Sequence, residues 1–212
     1  MKAVATSTRD RILDASLRLF NDEGVAAVST HRIAAELGIS PGNLHYHFKT
    51  KQLIVTWLFR RFEDRVTPCI DAAATVTALD DLWLSLHMTF EAVSDYRFVY
   101  RDIDYLLNEF PPLEARAQAL TARNLLAAQS LCAGLAAARV IEATPEDVEV
   151  LALQLVFTTT CWFSFKRLTP RNHTSRHAEA ALAAYYTLTI LSPYVVGEAR
   201  DYLNYLRAKY VR

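Results

Sequence analysis

The sequence predicts an all-α protein. Ala and Leu, which favour helices, occur throughout its 212 residues, whereas it contains only five glycines and seven prolines. Apolar side chains recur at helical spacing, and no strand-like alternation, internal repeat or low-complexity linker interrupts them. Hydrophobic residues make up 52% of the chain, which is enough to bury the core of one domain or two.

The first two helices are predicted from their apolar faces and their ends. We expect the first over residues 8–22, with Gly24 closing it. Its core side consists of Ile12, Ala15, Leu19 and Phe20. The second helix begins after Ser29, which is a good N-cap. Its small apolar face consists of Ile33, Ala34 and Leu37.

A tight turn separates the second helix from the third. Gly38 can take the left-handed conformation that ends a helix, Ser40 caps the next one, and Pro41 fits its first turn. Two short helices joined in this way form a helix-turn-helix, whose second helix lies in the major groove of DNA. The residues near the exposed N-terminal side of that helix are Pro41, Gly42, Asn43, Leu44 and Tyr46.

Lys51 lies where a cation is unfavourable, in the first turn of a fourth helix that Thr50 caps. A bound phosphate would reverse the sign of that effect. The exposed amides and Lys51 therefore predict an anion site of the kind that holds a DNA backbone. A lone lysine could equally be a solvated side chain, but the neighbouring His45, Tyr46 and His47 favour the anion site.

Three motifs resemble the TetR-type transcriptional regulators of bacteria. They are ILDASLRLFNDEG (residues 12–24), STHRIAAELGISPGNLHYHF (residues 29–48) and KTKQL (residues 49–53), and the resemblance covers residues 9–57. Members of that family usually have Tyr directly after the Leu of the recognition helix. This chain has His45 there, which can donate a hydrogen bond to the same phosphate oxygen.

The resemblance implies that Thr30, His47 and Lys51 hold phosphates and that Asn43 and Tyr46 face base edges. The full set of predicted DNA-contacting residues is Ser29, Thr30, Ser40, Pro41, Gly42, Asn43, His45, Tyr46, His47 and Lys51. The charge distribution agrees with this. Residues 1–65 carry ten basic and seven acidic side chains, a net charge of +3, so that the neutral chain carries −3 in the remainder.

The fourth helix is predicted over residues 51–66, with Pro68 ending it. It connects a DNA-binding helix-turn-helix domain, residues 1–50, to an effector-binding and dimerisation domain, residues 51–212. Further helices are predicted over residues 79–94, 98–109, 113–139, 145–167, 175–192 and 198–208.

Two segments of the C-terminal domain contain no charge, residues 150–165 and residues 180–197. An ordinary surface helix has a charged outer stripe, so each segment must be covered on more than one side. The second segment is long enough for a membrane span, but its tyrosines, threonines and Pro193 make it a poor one. Burial within the chain and burial against a second copy both remain open.

The resemblance favours the second copy, because the last two long helices of that family pair as a four-helix interface. The predicted interface residues are Leu155, Thr159, Ala178, Ala181, Leu182, Tyr185 and Leu188. Two recognition helices related by a twofold axis read half-sites about 34–36 Å apart, or a multiple of that, so a homodimer predicts a near-palindromic operator.

Aromatic side chains are concentrated in the C-terminal domain. Any one of them is more often core, but their density predicts a mostly apolar cavity with a few polar groups. Its predicted wall consists of Trp83, His87, Phe90, Tyr105, Phe157, Cys161 and Trp162. The resemblance implies that such a pocket binds a small effector, which changes the spacing of the two DNA-binding domains through residues 53–62 and releases the DNA.

The alternative is a helical dimer with a metal- or ligand-binding role and no operator binding. His31, His45 and His47 lie close in sequence, and His173 and His177 have the helical spacing of a metal pair. Neither set has a convincing third ligand or a Glu base between the histidines, so we predict no metal, no cofactor and no catalytic residue. Asp102 and Asp104 are expected to be solvated or paired with Arg101.

The cysteines and the N-terminus bear on the compartment. Cys69, Cys132 and Cys161 are far apart and odd in number, which predicts neither a disulfide framework nor a zinc ribbon. The first ten residues contain no apolar core of signal-peptide length. We therefore predict a protein of the reducing cytoplasm, with operator DNA and a small effector as partners and no membrane.

Overall fold

The computed structural model describes residues 7–169 and 176–210, and its described part is helical, as predicted. The one β-type pairing found there is an isolated bridge between Ile141 and Val195. The helices are α1 (Thr8–Glu23), α2 (Thr30–Leu37), α3 (Pro41–His47), α4 (Lys51–Ala73), α5 (Leu79–Asp95), α6 (Phe98–Arg101), α7 (Ile103–Glu109), α8 (Pro112–Ala137), α9 (Pro145–Lys166), α10 (Arg176–Leu188) and α11 (Glu198–Tyr210).

The chain divides into two compact units. The N-terminal unit comprises Met1–Glu63 and Tyr96–Ala115, and the C-terminal unit comprises Asp64–Asp95 and Arg116–Arg212. The helix-turn-helix therefore shares a unit with α6, α7 and the start of α8. This is a geometric division, and the functional boundary expected after residue 50 stays a prediction.

Local capping builds the helix-turn-helix. The backbone N–H of Arg32 donates to the Ser29 hydroxyl and that of Asn43 donates to the Ser40 hydroxyl, each over 3.1 Å. Gly38 ends α2 with a φ of +64°, a left-handed conformation that costs glycine little. These caps and this turn confirm the predicted arrangement. Behind them the core side chains are fully or almost fully buried: Ile12, Phe20, Ile33, Leu44 and Phe48.

Pro68 does not end α4, contrary to expectation, and the helix continues to Ala73. A proline inside a helix removes one backbone hydrogen bond and crowds the preceding turn, but burial on the far side can offset that cost. Cys69 and Ile70 are both buried on the continuing turn, at 8% and 3% exposure. Their burial accounts for the continuation.

The helix expected over residues 98–109 is two helices, broken at Asp102. Asp102 has φ −109° and ψ 23°, outside helical geometry. Its carboxylate accepts a hydrogen bond from the backbone N–H of Val25, 77 residues away in sequence. A tertiary contact thus decides the break, which helical periodicity could not reveal.

The C-terminal unit is a helical bundle in which α5 packs against α9, α10 and α11. Fully buried side chains at its centre are Leu82, Phe90, Leu135, Ala183 and Leu188. The helix predicted over residues 175–192 ends as α10 at Leu188, followed by a 3-10 turn over Thr189–Leu191, while Ser175 lies outside the described residues. Of the described helices, α9 has the length and hydropathy of a membrane span, and 33% of its most apolar stretch is buried.

The three cysteines are free thiols. Burial raises the pKa of the Cys69 and Cys161 thiols and raises the pKa of Cys132 to about 12. The absence of disulfides among them agrees with the reading of their spacing.

Candidate functional site

The solvent face of α3 presents polar side chains from a helix that is anchored behind. Leu44, at 2% exposure, fixes the helix to the core, whereas Asn43, His45 and Tyr46 are exposed. Tyr46 is 83% exposed, far more than an ordinary aromatic side chain. Its ring meets the half-buried His47 edge-on at 5.2 Å. The helix therefore presents Asn43, His45 and Tyr46 to solvent.

The remaining predicted DNA-contacting residues lie close to this face. Ser29 and Ser40 are exposed N-caps of α2 and α3, and Pro41 and Gly42 form the exposed first turn of α3. Thr30 is half-buried at the start of α2. Thr30, Pro41, Gly42 and His45 line one cleft of about 320 Å³. The structure thus brings Thr30, the first turn of α3 and His45 together at one cleft.

The same cleft contains two residues that are not in the predicted DNA-contacting set. His31 and Lys49 line it, and its apolar floor includes Leu44 and Phe48. Both missed side chains are exposed and carry or can acquire positive charge. The signal for Lys49 was its place directly after the recognition helix. The signal for His31 was its place in the first turn of α2.

Lys51 is placed differently from the expectation of a free ammonium at the start of α4. Thr50 caps the helix as predicted, since its hydroxyl accepts from the backbone N–H of Leu53 over 3.3 Å. The Lys51 ammonium, however, donates to the backbone carbonyl of Val25 and lies 5.6 Å from the centre of the Tyr105 ring. Burial lowers the pKa of Lys51, and the Glu109 carboxylate opposes that shift. Its phosphate contact stays a prediction.

Arg32 of α2 is a cation that is already engaged. Its guanidinium pairs with Glu23 and with Glu36, each over 2.9 Å. The two carboxylates hold the side chain along the protein surface. Arg32 is therefore a weaker candidate for a phosphate contact than the exposed Lys49.

The predicted effector residues fall into separate groups. Trp83 and His87 stack at 5.3 Å, and Phe90 meets Trp162 at 6.2 Å. Tyr105 belongs to the N-terminal unit, where its ring packs on Phe110. The other predicted wall residues differ in burial: Phe157 is 66% exposed and Cys161 is half-buried. The structure therefore does not gather all seven residues around one cavity.

One buried donor in this region lacks an acceptor among the described residues. The indole Nε1 of Trp162 is shielded from solvent and donates to no group there. The Trp162 ring lies between Phe90 at 6.2 Å and Tyr186 at 5.7 Å. A buried N–H without an acceptor is costly, which makes this position a candidate contact for a ligand.

A small apolar cavity of about 40 Å³ lies in the C-terminal unit between α4, α5, α8 and α9. Its polar lining groups are Ser85, Thr89, Asn124 and Thr159. The sequence reasoning missed Ser85, Thr89 and Asn124 as site residues. The available signal was polar side chains one helical turn apart, at positions 85 and 89, on an otherwise apolar helix face.

The predicted dimer residues are mostly buried within their own chain. Leu155 and Thr159 line the small cavity. Ala181, Tyr185 and Leu188 are buried as well, while Ala178 is exposed and Leu182 half-buried. The buried residues cannot meet a second copy without rearrangement. The predicted interface stays a prediction, and the surfaces of these helices that are free in this chain are their outer faces.

The exposed apolar side chains of α9 form a row that we call the α9 stripe. It consists of Val150, Leu153, Phe157 and Phe165, which are 52%, 60%, 66% and 58% exposed. Their spacing of three, four and eight residues places them on one helix face. On α10 the exposed apolar side chain is Tyr186, at 46%. A free row of this kind is the usual mark of an interface.

The histidines do not form a metal site in the described part of the chain, where no three His, Cys, Asp or Glu side chains could hold one ion. His31 and His45 line the cleft beside α3. His173 and the side chain of His177 lie outside the described residues.

Comparisons with known proteins agree with this geometry. A family model described as "Bacterial regulatory proteins, tetR family" matches residues 12–56, and one described as "Bacterial transcriptional repressor" matches residues 61–203. An HTH-type transcriptional regulator of Staphylococcus aureus is 33% identical over 107 residues. That match covers 50% of each chain, so the chain spans about half the length of the curated relative.

Solved structures match over more of the chain. A TetR-family transcriptional regulator from Marinobacter aquaeolei is 36% identical, with a TM-score of 0.85, covering 96% of this chain and 98% of that one. A transcriptional regulator from Saccharomonospora viridis, solved in complex with choline, is 20% identical with a TM-score of 0.68. It covers 89% of this chain and 98% of its own and shares the fold. The proteins that this chain resembles are regulators rather than enzymes.

Proposed function

Because the chain belongs to the TetR family of bacterial transcriptional regulators, we propose that it is a repressor of transcription. It binds a near-palindromic operator as a homodimer in the bacterial cytoplasm, and a small, largely apolar effector releases it. The observation that carries the proposal is the exposed polar face of α3, which is anchored by Leu44 and holds Asn43 and Tyr46 in solvent.

We assign recognition of the operator's base sequence to Asn43 and Tyr46. An asparagine amide can donate to and accept from the edge of adenine in the major groove, a pairing that discriminates against other bases. Tyr46 adds an apolar ring for a thymine methyl group and a hydroxyl for a base edge. A helix that enters the major groove with its N-terminal end brings its first turns nearest the bases, and both side chains lie on those turns of α3.

Phosphate binding is assigned to the polar groups that flank α3. Ser29 and Ser40 mark the starts of α2 and α3, where free backbone amides favour an anion. Thr30 and His45 line the adjoining cleft and His47 lies beside Tyr46. Lys49 is the exposed cation of the same cleft, and Lys51 joins it if its ammonium leaves the carbonyl of Val25.

Homodimerisation is assigned to the α9 stripe together with Tyr186 and the exposed Ala178 of α10. Burying such a stripe against its own symmetry copy removes apolar surface from water, at about 25 cal/mol per Å². A twofold interface is self-complementary, because each stripe then meets the same residues of its copy. The uncharged sequence of residues 150–165 supports this assignment, since a permanently solvated helix would carry charge there.

Effector binding is assigned to the C-terminal unit, around Trp162 with Phe90 and around the small cavity. The choline complex of the Saccharomonospora viridis regulator shows that a protein of this fold holds a small molecule. The Trp162 N–H needs an acceptor, and the cavity lining is apolar with hydroxyl and amide groups. An effector with an apolar body and a hydrogen-bond acceptor suits the chemistry of both features, and the cavity of about 40 Å³ must widen to admit it.

The experiment for operator binding is a selection from random duplex DNA, followed by gel-shift titrations of the recovered palindrome. We expect affinity to fall steeply with salt, because bound cations release counterions from the DNA. Asn43→Ala should relax the preference at one base position by about 1–3 kcal/mol, whereas Lys51→Ala should weaken binding to all sequences alike. Arg207→Ala, in the last turn of α11, is the matched control and should leave both properties unchanged. Recovery of no preferred sequence would refute operator binding.

The experiment for release uses a panel of apolar compounds that carry a hydrogen-bond acceptor. We expect at least one compound to weaken operator binding about a hundredfold, which corresponds to about 3 kcal/mol of coupling. Trp162→Phe keeps an aromatic ring, although a smaller one, and removes the N–H, so it should reduce sensitivity to that compound while operator affinity without the compound is unchanged. If no compound alters the operator affinity, release by an apolar effector is wrong.

A further inference from the structure

We propose that Arg101 and Asp102 are positioning residues for operator recognition. They fix the segment around α6 and α7 to the end of α1. In this way they set the orientation of the helix-turn-helix relative to that segment. This inference rests on the proposed function, because its consequence is a preference for one spacing of half-sites. Neither residue is among those expected to touch DNA.

Arg101 caps the C-terminus of α1. Its guanidinium donates to the backbone carbonyls of Phe20 and Asn21, both over 2.6 Å. Both carbonyls lie in the last turn of α1, where the negative end of the helix dipole favours a cation, and the Phe20 carbonyl also accepts from the backbone N–H of Gly24. The Arg101 side chain is only 10% exposed, so water does not compete for these contacts.

Asp102, the next residue, binds both Arg101 and the end of α1. Its carboxylate accepts from Arg101 through two bonds of 2.8 Å and from the backbone N–H of Val25 over 2.9 Å. The pair thus binds both kinds of backbone group where α1 ends, because the Arg101 guanidinium donates to carbonyls and the Asp102 carboxylate accepts from an amide. The break in the helix at Asp102 is what brings two consecutive side chains onto this one turn.

Three further contacts join the same two segments. The backbone N–H of Phe98 donates to the side-chain oxygen of Asn21 over 3.1 Å, and the Phe98 ring lies 5.7 Å from that of Phe20. Arg97 pairs with Asp22 over 2.6 Å. Residues 97–102 therefore contact the end of α1 at several positions.

A buried ion pair is a poor way to gain stability alone, because desolvating two charges costs as much as their attraction returns. Such a pair does fix the relative position of its two residues. We call the two-bond pairing of Arg101 with Asp102 the fork, and together with the backbone acceptors it allows only one arrangement. Both ends of the Tyr96–Ala115 segment continue covalently into the C-terminal unit. The fork therefore ties the helix-turn-helix to the chain that leads to the proposed dimer interface.

The experiment measures tolerance to operator spacing. One base pair inserted between the half-sites separates them by about 3.4 Å more and rotates them by about a tenth of a turn. We expect this insertion to weaken the wild-type protein at least about thirtyfold but Arg101→Lys less than about fivefold, because lysine keeps the charge and loses the fork. Asp102→Asn, which loses the charge and one acceptor, should be equally tolerant.

The matched control is Arg123→Lys. Arg123 makes the same two-bond fork with Asp71, over 2.9 and 2.7 Å, but on the surface, where the side chains are 54% and 50% exposed. This variant should keep the wild-type dependence on spacing. Each titration is normalised to the active fraction and run below the unfolding midpoint of the variant.

The outcomes separate the two levels of the proposal. A wild-type protein that prefers no DNA sequence refutes the proposed function. If the wild-type protein binds its operator, an equal loss of affinity at every spacing in Arg101→Lys and Asp102→Asn shows a merely structural role and overturns the positioning role. Unchanged binding overturns it as well, and so does failure of both variants to fold.

Discussion

Phe157→Glu is expected to be monomeric at micromolar concentration and to bind the operator about a thousandfold more weakly than the parent. Phe157 lies in the middle of the α9 stripe and is 66% exposed, so the substitution does not disturb the core of its own chain. In a twofold interface the change introduces two carboxylates into apolar surroundings. Each unpaired buried charge costs several kcal/mol, and a loss of about 4 kcal/mol is a factor of about a thousand.

The measurement is sedimentation equilibrium of the free protein together with gel-shift titration of the selected operator. Tyr205→Glu on α11 is the matched control, because Tyr205 is 60% exposed and lies outside the proposed interface. It should remain dimeric and keep its operator affinity. A dimeric Phe157→Glu protein would show that the two copies, if they associate, use another surface.

Phe62→Ala is expected to lower the free energy of unfolding by about 3–5 kcal/mol. Phe62 is fully buried within the N-terminal unit. Its ring lies 6.0 Å from Phe59, 5.9 Å from Tyr96 and 5.6 Å from Tyr100. Truncation therefore removes three edge-on or tilted aromatic contacts and leaves a cavity between α4 and the chain around α6.

Urea denaturation followed by circular dichroism measures this change. Tyr46→Ala removes an aromatic ring that is 83% exposed in the same unit, so its unfolding free energy should stay within about 0.5 kcal/mol of the parent. A loss below about 1 kcal/mol for Phe62→Ala would mean that the surrounding aromatic rings close the cavity.

The helix-turn-helix was predictable from the sequence because its determinants are local. Ser29 and Ser40 cap helices that begin at the next residue, and Gly38 supplies its own left-handed turn. Each of these choices involves residues within four positions of one another. Side-chain type alone was therefore enough to predict the elements and the exposed face of α3.

The contacts that could not be predicted link distant parts of the chain. The carbonyl that holds Lys51 is 26 residues away, and the amide that holds Asp102 is 77 residues away. Asp102 was expected to be either solvated or paired with Arg101, and the sequence could not distinguish a solvated carboxylate from the buried ion pair that the structure shows. Helical periodicity carries no information about which partner lies opposite a given turn.

The predicted dimer-interface residues show a different limit of prediction from sequence. Helix α9 is apolar on more than one face, so periodicity could not tell the side that packs inside the chain from the side that is left free. Leu155 and Thr159 fell on the inner side, and Val150, Leu153 and Phe157 on the outer side. The absence of charge predicted that both sides of this helix are covered, but only the packing of the neighbouring helices shows which side is exposed in this chain.

The three cysteines limit the kinds of stimulus to which this protein can respond. The thiolate is the form that reacts with peroxide and disulfides, and burial raises the pKa of all three thiols, that of Cys132 to about 12. A raised pKa lowers the fraction of thiolate at neutral pH, which slows the reaction of these sulfur atoms with oxidants. Burial therefore makes these three thiols poor targets for oxidants.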